Sequence, residues 1–208
     1  MEKDLFRPEL FQDKDPKTKQ YLGKLALSAL ASIEVAVPSH GDSFNRLAFV
    51  SNEDRAGNWR DQYEFRQQLL KRDLARFATD MIGQVTGGLL ICPYWGLRVL
   101  LRGVKDVRHK VERDHIVSLR DAWESGASAM CQNSREELNV DPLENVMVSK
   151  EANQDKGAAA FDAWRPTVDP ELFAARQVAV KSKYRLSMTP SEVNAISSVL
   201  KKPDLSGL

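Results

Sequence analysis

The sequence predicts a mainly α protein: a long antiparallel helical hairpin packed with an N-terminal helix, plus short C-terminal helices and irregular segments. Two long stretches carry apolar residues at helical spacing, and an uncharged, glycine-containing segment joins them. Further along the chain, proline follows a capping residue at the start of shorter helices. We therefore expect a helical core domain with an N-terminal arm (residues 1–130), a polar linker (131–160) and a C-terminal helical extension (161–208).

The composition is that of a globular protein. With 208 residues, 42% of them hydrophobic and 28% charged, the chain can bury a core and is neither collagen-like nor wholly disordered. Its net charge of +1 argues against binding nucleic acid through overall charge. Two cysteines are too few for a disulfide-stapled small fold, and the charged stretch from Met1 to Tyr21 lacks the apolar core of a signal peptide. We therefore expect a cytoplasmic protein.

The first helix is predicted to begin at Asp15 and Pro16. Aspartate can accept hydrogen bonds from the first free amides, and proline suits the first helical position because it has no amide hydrogen to satisfy. The apolar stripe continues to Val37, and Pro38 ends the element. The alternation of apolar residues from Ser32 to Val37 also fits a strand, so both alternatives remain open for that stretch.

The two long helices are predicted from about Asn58 to Val85 and from about Leu97 to Ala129. Each stretch has apolar residues that fall on one side of a helical wheel. The bend between them is expected at Pro93 or at the Gly87-Gly88 pair. His115 falls in the middle of the second apolar stripe, where a packed histidine is the expected role.

Three shorter helices are predicted in the C-terminal third. One begins after Asp141-Pro142 within the polar linker, and one runs from Asp169-Pro170 towards Val180. The last begins at Thr189-Pro190, where Glu192 completes the capping box, and runs through Leu200.

The stretch from Met81 to Leu97 contains seventeen consecutive residues without a charge. It is too short and too rich in glycine for a spanning helix, which needs about 20 apolar residues. Either it is the buried bend of the hairpin, or it inserts into a membrane interface beside the cationic residues that follow it. The residues predicted to contact a membrane or a partner are Leu89, Leu90, Ile91, Tyr94, Trp95, Arg98, Arg102, Lys105 and Arg108.

The cationic residues alone do not indicate a nucleic-acid-binding protein. Between residues 98 and 113 there are six positive and two negative charges, and the acidic residues interrupt the basic stripe. No zinc-finger or helix-turn-helix spacing accompanies it. A solvated helix face is the expected structure.

No motif assigns catalysis. Glu112 and His115 match the Glu-x-x-His spacing of di-iron helical bundles, but the second copy that such sites require is missing. The sequence has no nucleophile elbow, phosphate loop or zinc-protease motif. We therefore predict no catalytic residues, no metal and no cofactor. The alternative is a small helical enzyme with a site near His115, which requires titratable groups to converge on His115 in one cavity.

Phe161 and Trp164 are two aromatic residues in a polar neighbourhood, and they are predicted to form a docking motif. Packing against the chain's own hairpin is the alternative.

Taken together, these features favour a bacterial or phage-like, non-catalytic intracellular binding protein. We expect it to associate with a protein partner, and peripherally with the cytoplasmic face of the inner membrane, through the apolar tip and basic flank of the hairpin. An adaptor or assembly protein without lipid contact is the alternative, and self-association is compatible with either.

Overall fold

A computed structural model of the protein describes residues 2–55 and 60–201. Over these residues the fold is mixed α and β, with one three-stranded and one two-stranded antiparallel sheet. The predicted mainly α fold with a long helical hairpin is therefore wrong. Of the three shorter helices predicted in the C-terminal third, by contrast, the last two are present.

The helices and strands follow one another along the whole chain. The α-helices are α1 (Pro16–Leu30), α2 (Asn52–Arg55), α3 (Arg60–Asp73), α4 (Val104–His109), α5 (Leu119–Glu124), α6 (Gln132–Asn139), α7 (Lys150–Lys156), α8 (Pro170–Lys183) and α9 (Pro190–Leu200). The strands are β1 (Leu74–Thr79), β2 (Val85–Ile91), β3 (Arg98–Leu101), β4 (Val111–His115) and β5 (Asn145–Ser149). Short 3₁₀ turns occur at Glu2–Phe6, Pro8–Gln12, Gly41–Ser43, Arg46–Phe49 and Ala127–Ala129.

The first predicted long helix ends early, at Asp73, and its predicted start at Asn58 lies outside the described residues. The chain then forms β1 and returns as β2, in the order β1-β2-β3. Gly83 in the turn has a φ of +79°, a conformation that favours glycine. At Gly87 a Cβ atom would lie 2.7 Å from the carbonyl oxygen of Leu101 on β3. The Gly87-Gly88 pair thus allows close strand approach and is not a bend between helices.

The second predicted long helix is divided into β3, α4, β4 and α5. Strand β4 pairs antiparallel with β5, and its last residue, His115, lies opposite Asn145. The apolar residues of this stretch therefore belong to several short elements. His115 ends a strand and does not lie in the middle of a helix.

The N-terminal helix begins where the sequence predicts. The Asp15 side chain accepts a hydrogen bond from the amide of Thr18 at 3.2 Å, and Pro16 is the first helical residue. The helix stops at Leu30, before the predicted end near Val37. Beyond it, Val35 forms an isolated parallel bridge with Met188, within the stretch for which a strand was the alternative.

The two C-terminal helices are confirmed, and the helix predicted after Asp141-Pro142 is wrong. Helix α9 has the full capping box: Thr189 accepts from the amide of Glu192, and Glu192 accepts from the amide of Thr189. Asp141 instead accepts from the amide of Leu143 at 2.8 Å in a turn that leads into β5.

Two groups of buried apolar residues hold the structure together. The major core joins α1, α8 and α9 to the N-terminal 3₁₀ turns, to the segment after β4 and to β5, and it includes Leu22, Val148 and Val178. The minor core lies between α3 and the three-stranded sheet, with Leu70, Leu90 and others. The major core draws residues from all three predicted segments, and residues 131–160 contain α6, β5 and α7.

Among the described residues, no helix combines the length and the apolar character that a membrane crossing requires.

Candidate functional site

A cleft of about 410 Å³ lies where β4 meets the segment before α5. Strand β4 delivers Asp114 and His115 to it, and α7, which directly follows β5, delivers Asn153. The Ser149 hydroxyl accepts from the amide of Ala152 and so starts α7 directly at the end of the strand. The polar residues that line the cleft are Arg46, Arg113, Asp114, His115, Ser118, Arg120 and Asn153.

His115 is the titratable group at the base of this cleft. Its residue is only 4% exposed. Burial lowers the pKa of His115 well below its usual value, and the positive charges of Arg113 and Lys156 lower it further. The imidazole is therefore neutral at pH 7.

The tautomer of His115 follows from its partner, Asn139. His115 Nε2 lies 3.0 Å from Asn139 Oδ1 and 3.3 Å from the Asn139 carbonyl oxygen. Since both partner atoms are acceptors, Nε2 carries the hydrogen and the lone pair is on Nδ1. Nδ1 accepts no hydrogen bond from the residues that the structure describes, so it is available as a base.

Asn139 is itself held in place. Its carbonyl oxygen accepts from Asn145 Nδ2 at 3.0 Å, and its Oδ1 accepts from Arg113 Nη2 at 3.4 Å. The Asn145 amide also donates to the carbonyl of Asp141 at 2.9 Å. These contacts fix the acceptor atoms that orient the imidazole of His115.

Asp114 sits in a buried ion pair beside His115. Lys156 Nζ lies 3.1 Å from Asp114 Oδ1 and 3.0 Å from Oδ2, and it also donates to the carbonyl oxygen of His115 at 2.7 Å. The Tyr94 hydroxyl donates to Asp114 Oδ2 at 2.5 Å. Burial raises the pKa of Tyr94 well above its usual value, and the Asp114 charge adds to this, so the hydroxyl keeps its proton. Lys156 and Tyr94 thus fix the end of β4.

Arginines make the cleft cationic. Arg113 donates to Gln62 Oε1 at 3.0 Å and lies 5.6 Å from the centre of the Phe65 ring. Burial lowers the pKa of Arg113 to about 10, so it is still charged at pH 7. Arg120 is paired with Glu124 at 2.8 Å, and Arg46 is exposed. An anionic group is the expected ligand.

A larger groove, of about 560 Å³, is lined by Glu137, Asp141, Lys183 and Tyr184. Its central carboxylate already accepts from Lys183 Nζ at 2.7 Å and from the Tyr184 hydroxyl at 2.9 Å. Because these groups satisfy one another, the cleft at His115 is the better candidate despite its smaller volume.

Most of the residues predicted to contact a membrane or partner lie around the three-stranded sheet, away from the cleft. Leu90 and Tyr94 are buried, at 0% and 2% exposure, whereas Ile91 is 49% exposed. Leu89 and Trp95 are half-buried. The cations Arg98, Arg102, Lys105 and Arg108 are exposed on β3, on α4 and between them, and so do not form one helical stripe.

The two residues of the predicted docking motif pack inside the molecule. Phe161 is fully buried and stacks on Phe173, with ring centres 6.2 Å apart. Trp164 is half-buried and lies edge-on to Tyr94 at 5.0 Å. This aromatic cluster supports the Tyr94 hydroxyl that holds Asp114.

The structure brings to His115 several residues that the sequence did not single out. Arg46, Asn139, Asn153 and Lys156 come from three separate elements, because Asn153 and Lys156 both lie on α7. Titratable and polar groups thus converge on His115, as the enzyme alternative requires. The sequence contained one signal for this site. Asp114 and His115 are followed by the apolar residues Ile116 and Val117, a pattern that fits a short strand with two polar residues at its end. Among the described residues no group of three histidine, cysteine or acidic side chains could hold a metal ion.

Comparison with known proteins finds no protein-family profile and no solved structure that matches the sequence. The chain is similar to an uncharacterized secreted protein of the fungus Arthroderma benhamiae, with 30% identity over 140 residues. The matched region covers 65% of this chain and 65% of that protein's length.

This similarity corrects the function and location predicted from sequence. A secreted fungal relative conflicts with an intracellular, cytoplasmic protein and with a bacterial or phage-like origin. The predicted intracellular binding protein at the inner membrane is therefore wrong. The location was predicted from the small number of cysteines and from the charged stretch between Met1 and Tyr21, and neither feature is a strong indicator of location.

Proposed function

We propose that the protein is a hydrolase of phosphate diesters, with His115 as the general base. The observation that supports it is a buried neutral histidine that lines a cationic cleft, is held through Nε2 by Asn139, and accepts no hydrogen bond at Nδ1 from the described residues. A fixed neutral imidazole is suited to take a proton from water. This proposal replaces the non-catalytic function predicted from the sequence.

The arrangement supports a one-step displacement by water. Water attacks phosphorus, and its proton passes to Nδ1 of His115. The new phosphorus–oxygen bond forms as the bond to the leaving oxygen breaks, and the leaving oxygen takes a proton from solvent. Asn139 accepts from Nε2 and so leaves Nδ1 as the nitrogen that takes the proton, and the imidazolium then returns this proton to solvent.

The arginines support a phosphate as the anionic group. A guanidinium can bind two non-bridging phosphate oxygens at once, and it keeps its charge in a partly buried position. Arg113 and Arg120 flank His115 in the same cleft. Nucleic acids are included among the diesters to be tested, although the sequence did not point to them. The secreted relative supports a substrate met outside the cell.

The test measures hydrolysis of bis(p-nitrophenyl) phosphate, double-stranded DNA, single-stranded DNA and RNA by the purified chain and by His115→Gln. Each substrate is offered with Mg²⁺ and, separately, with EDTA, because Mg²⁺ commonly bridges a protein carboxylate and a substrate phosphate. Loss of a general base lowers the rate about 10²- to 10⁴-fold. We expect a loss of that size for His115→Gln.

His109→Gln is the matched control, because His109 is exposed on α4 and does not line the cleft. It should retain the wild-type rate. The pH profile gives a second measure: the pKa of His115 is lowered from 6.5, so kcat/KM should stay constant through pH 6.5 and fall only at lower pH. Wild-type protein that cleaves none of the diesters, or a His115→Gln variant as active as wild type, would contradict the proposal.

A further inference from the structure

The segment from residue 39 to residue 50, here called the strap, passes beside the cleft and carries Phe44 and Arg46 to it. Its N-terminal half is bound to α5: the amide of Ser39 donates to the carbonyl of Glu124 at 3.0 Å. Trp123 Nε1 donates to the carbonyl of His40 at 3.1 Å and to the hydroxyl of Ser43 at 3.2 Å.

The other half of the strap is bound to α6 and to the major core. Arg135 Nε donates to the carbonyl of Ala48, and Gln132 Nε2 donates to the carbonyl of Val50, both at 3.0 Å. Phe49 is fully buried and lies edge-on to Trp123, with ring centres 5.9 Å apart. The strap is therefore held at both ends, and the residues between them have a defined position.

Arg46 is the first residue of a 3₁₀ turn within the strap. The side chain of Asn45 caps this turn by accepting from the amide of Leu47 at 2.9 Å. Arg46 is exposed, and its side chain has no hydrogen-bond or ion-pair partner among the described residues. Arg113 and Arg120 differ, because Gln62 and Glu124 already occupy their guanidinium groups.

The charge of Arg46 reaches the other groups of the cleft. It contributes to lowering the pKa of Arg113 and, more weakly, that of His115. The Arg46 guanidinium, which has no partner among the described residues, lines the same cleft as His115 and two further arginines and can bind an anion there. Because the strap is held at both ends, the backbone at Arg46 keeps its place beside the cleft when charge develops there.

We propose that Arg46 is a catalytic residue of this site: its guanidinium binds the non-bridging oxygens of the phosphate that water attacks. The inference rests on the proposed function. As the phosphorus gains a fifth oxygen ligand, negative charge on those oxygens grows, and Arg46 stabilises it more strongly than it stabilises the bound substrate. This role differs from that of an arginine that only attracts a polyanion to the protein surface.

The experiment compares Arg46→Ala and Arg46→Lys on bis(p-nitrophenyl) phosphate, which contains a single phosphate. Removing one preorganised donor to a developing oxyanion typically lowers kcat about 10²- to 10³-fold. We expect that loss for Arg46→Ala, with KM changed less than about threefold. Arg46→Lys should recover part of the rate, since lysine restores the charge but not the two-pronged geometry. Arg98→Ala, at an exposed arginine on β3, is the matched control and should behave as wild type.

Three results would overturn the inference. If Arg46→Ala raises KM on the small diester without lowering kcat, Arg46 binds the substrate but does not stabilise the charge that develops during the reaction. If Arg46→Ala weakens cleavage of nucleic acid but not of the small diester, Arg46 binds a neighbouring phosphate and not the reacting one. Unchanged kinetics would remove it from the site altogether. Failure of the proposed function is distinguishable, because it would show in wild-type protein or in His115→Gln, whatever Arg46→Ala does.

Discussion

The major core and the minor core differ in their buried side chains and in what these side chains contact. The major core contains buried charged side chains, among them Lys156 and Lys181, at 2% and 0% exposure, and each is paired with a carboxylate. The buried apolar residues of the minor core come from α3, from one face of the three-stranded sheet, and from α4, β4 and β5. The opposite face of that sheet leaves Ile91 and Leu100 about half exposed, at 49% and 55%.

The difference explains why the candidate site lies beside the major core. A catalytic group needs surroundings that fix its geometry and its protonation state, and only buried, fully paired polar groups supply both. Asp114, Lys156 and Asn139 provide this around His115. Beside the minor core, Arg66 donates to the carbonyls of Val107 and Val111, and Asp73 accepts from the amide of Met147, so these charged groups bind backbone atoms and hold its elements together.

The largest effect is expected from a substitution that breaks a buried ion pair of the major core. Lys156→Met leaves the carboxylate of Asp114 buried, with Tyr94 as its remaining partner. Removing one partner of a buried pair typically costs about 3–5 kcal/mol of unfolding free energy. Urea unfolding followed by circular dichroism should show a loss of that size.

Lys150→Met is the matched control, since Lys150 begins the same helix and has no ion pair among the described residues. It should change the unfolding free energy by less than about 0.5 kcal/mol. Adding Asp114→Asn to Lys156→Met should restore part of the loss, because the unpaired charge is gone. An equal loss at Lys150 and Lys156 would mean that the pair has no special role in holding β4 to α7.

The second prediction compares the two faces of the sheet through neighbouring residues of β2. Leu90 is fully buried in the minor core, and Ile91 points to the open face. Leu90→Ala should lower the unfolding free energy by about 2–5 kcal/mol, the usual cost of a cavity. Ile91→Ala should stay within about 0.5 kcal/mol. Equal costs in the two variants would show that the open face is covered in solution, and the contrast between the cores would then be lost.

The elements that could be predicted from sequence are those whose signals are local. The starts of α1 and α9 follow from a capping residue and a proline within a few positions, and α8 begins at Pro170 although Asp169 makes no capping hydrogen bond. The sheet could not be predicted from apolar spacing, because Leu74, Phe77 and Met81 fit a helical wedge as well as strands. Burial separates the two: Leu74 is 5% exposed, whereas Phe77 is 46% exposed and Met81 fully so.

The candidate site depends on contacts between distant segments. The burial of His115 was expected, and its 4% exposure confirms it. The role proposed for His115 was not expected, because Asn139 and Arg46 lie near it only once β4 is paired with β5 and the strap is packed on α5. The spacing of residues along one helix cannot identify a general base when the residues that orient it and stabilise charge beside it come from other elements.

The prediction with the smallest expected effect tests whether the local capping signal or packing in the major core determines where α9 begins. Thr189→Ala removes the hydroxyl that caps α9 but leaves Glu192 paired with Lys181 at 2.7 Å. Loss of such a cap typically costs about 1 kcal/mol. Because α9 packs into the major core through Ile196 and Val199, the loss should appear in global unfolding and not only as fraying of the helix. Ser191→Ala, at an exposed position in the first turn of the same helix, should be nearly neutral. If Thr189→Ala is also neutral, burial of the apolar face alone sets where α9 begins, and the capping signal that predicted it from sequence is a correlate and not a cause.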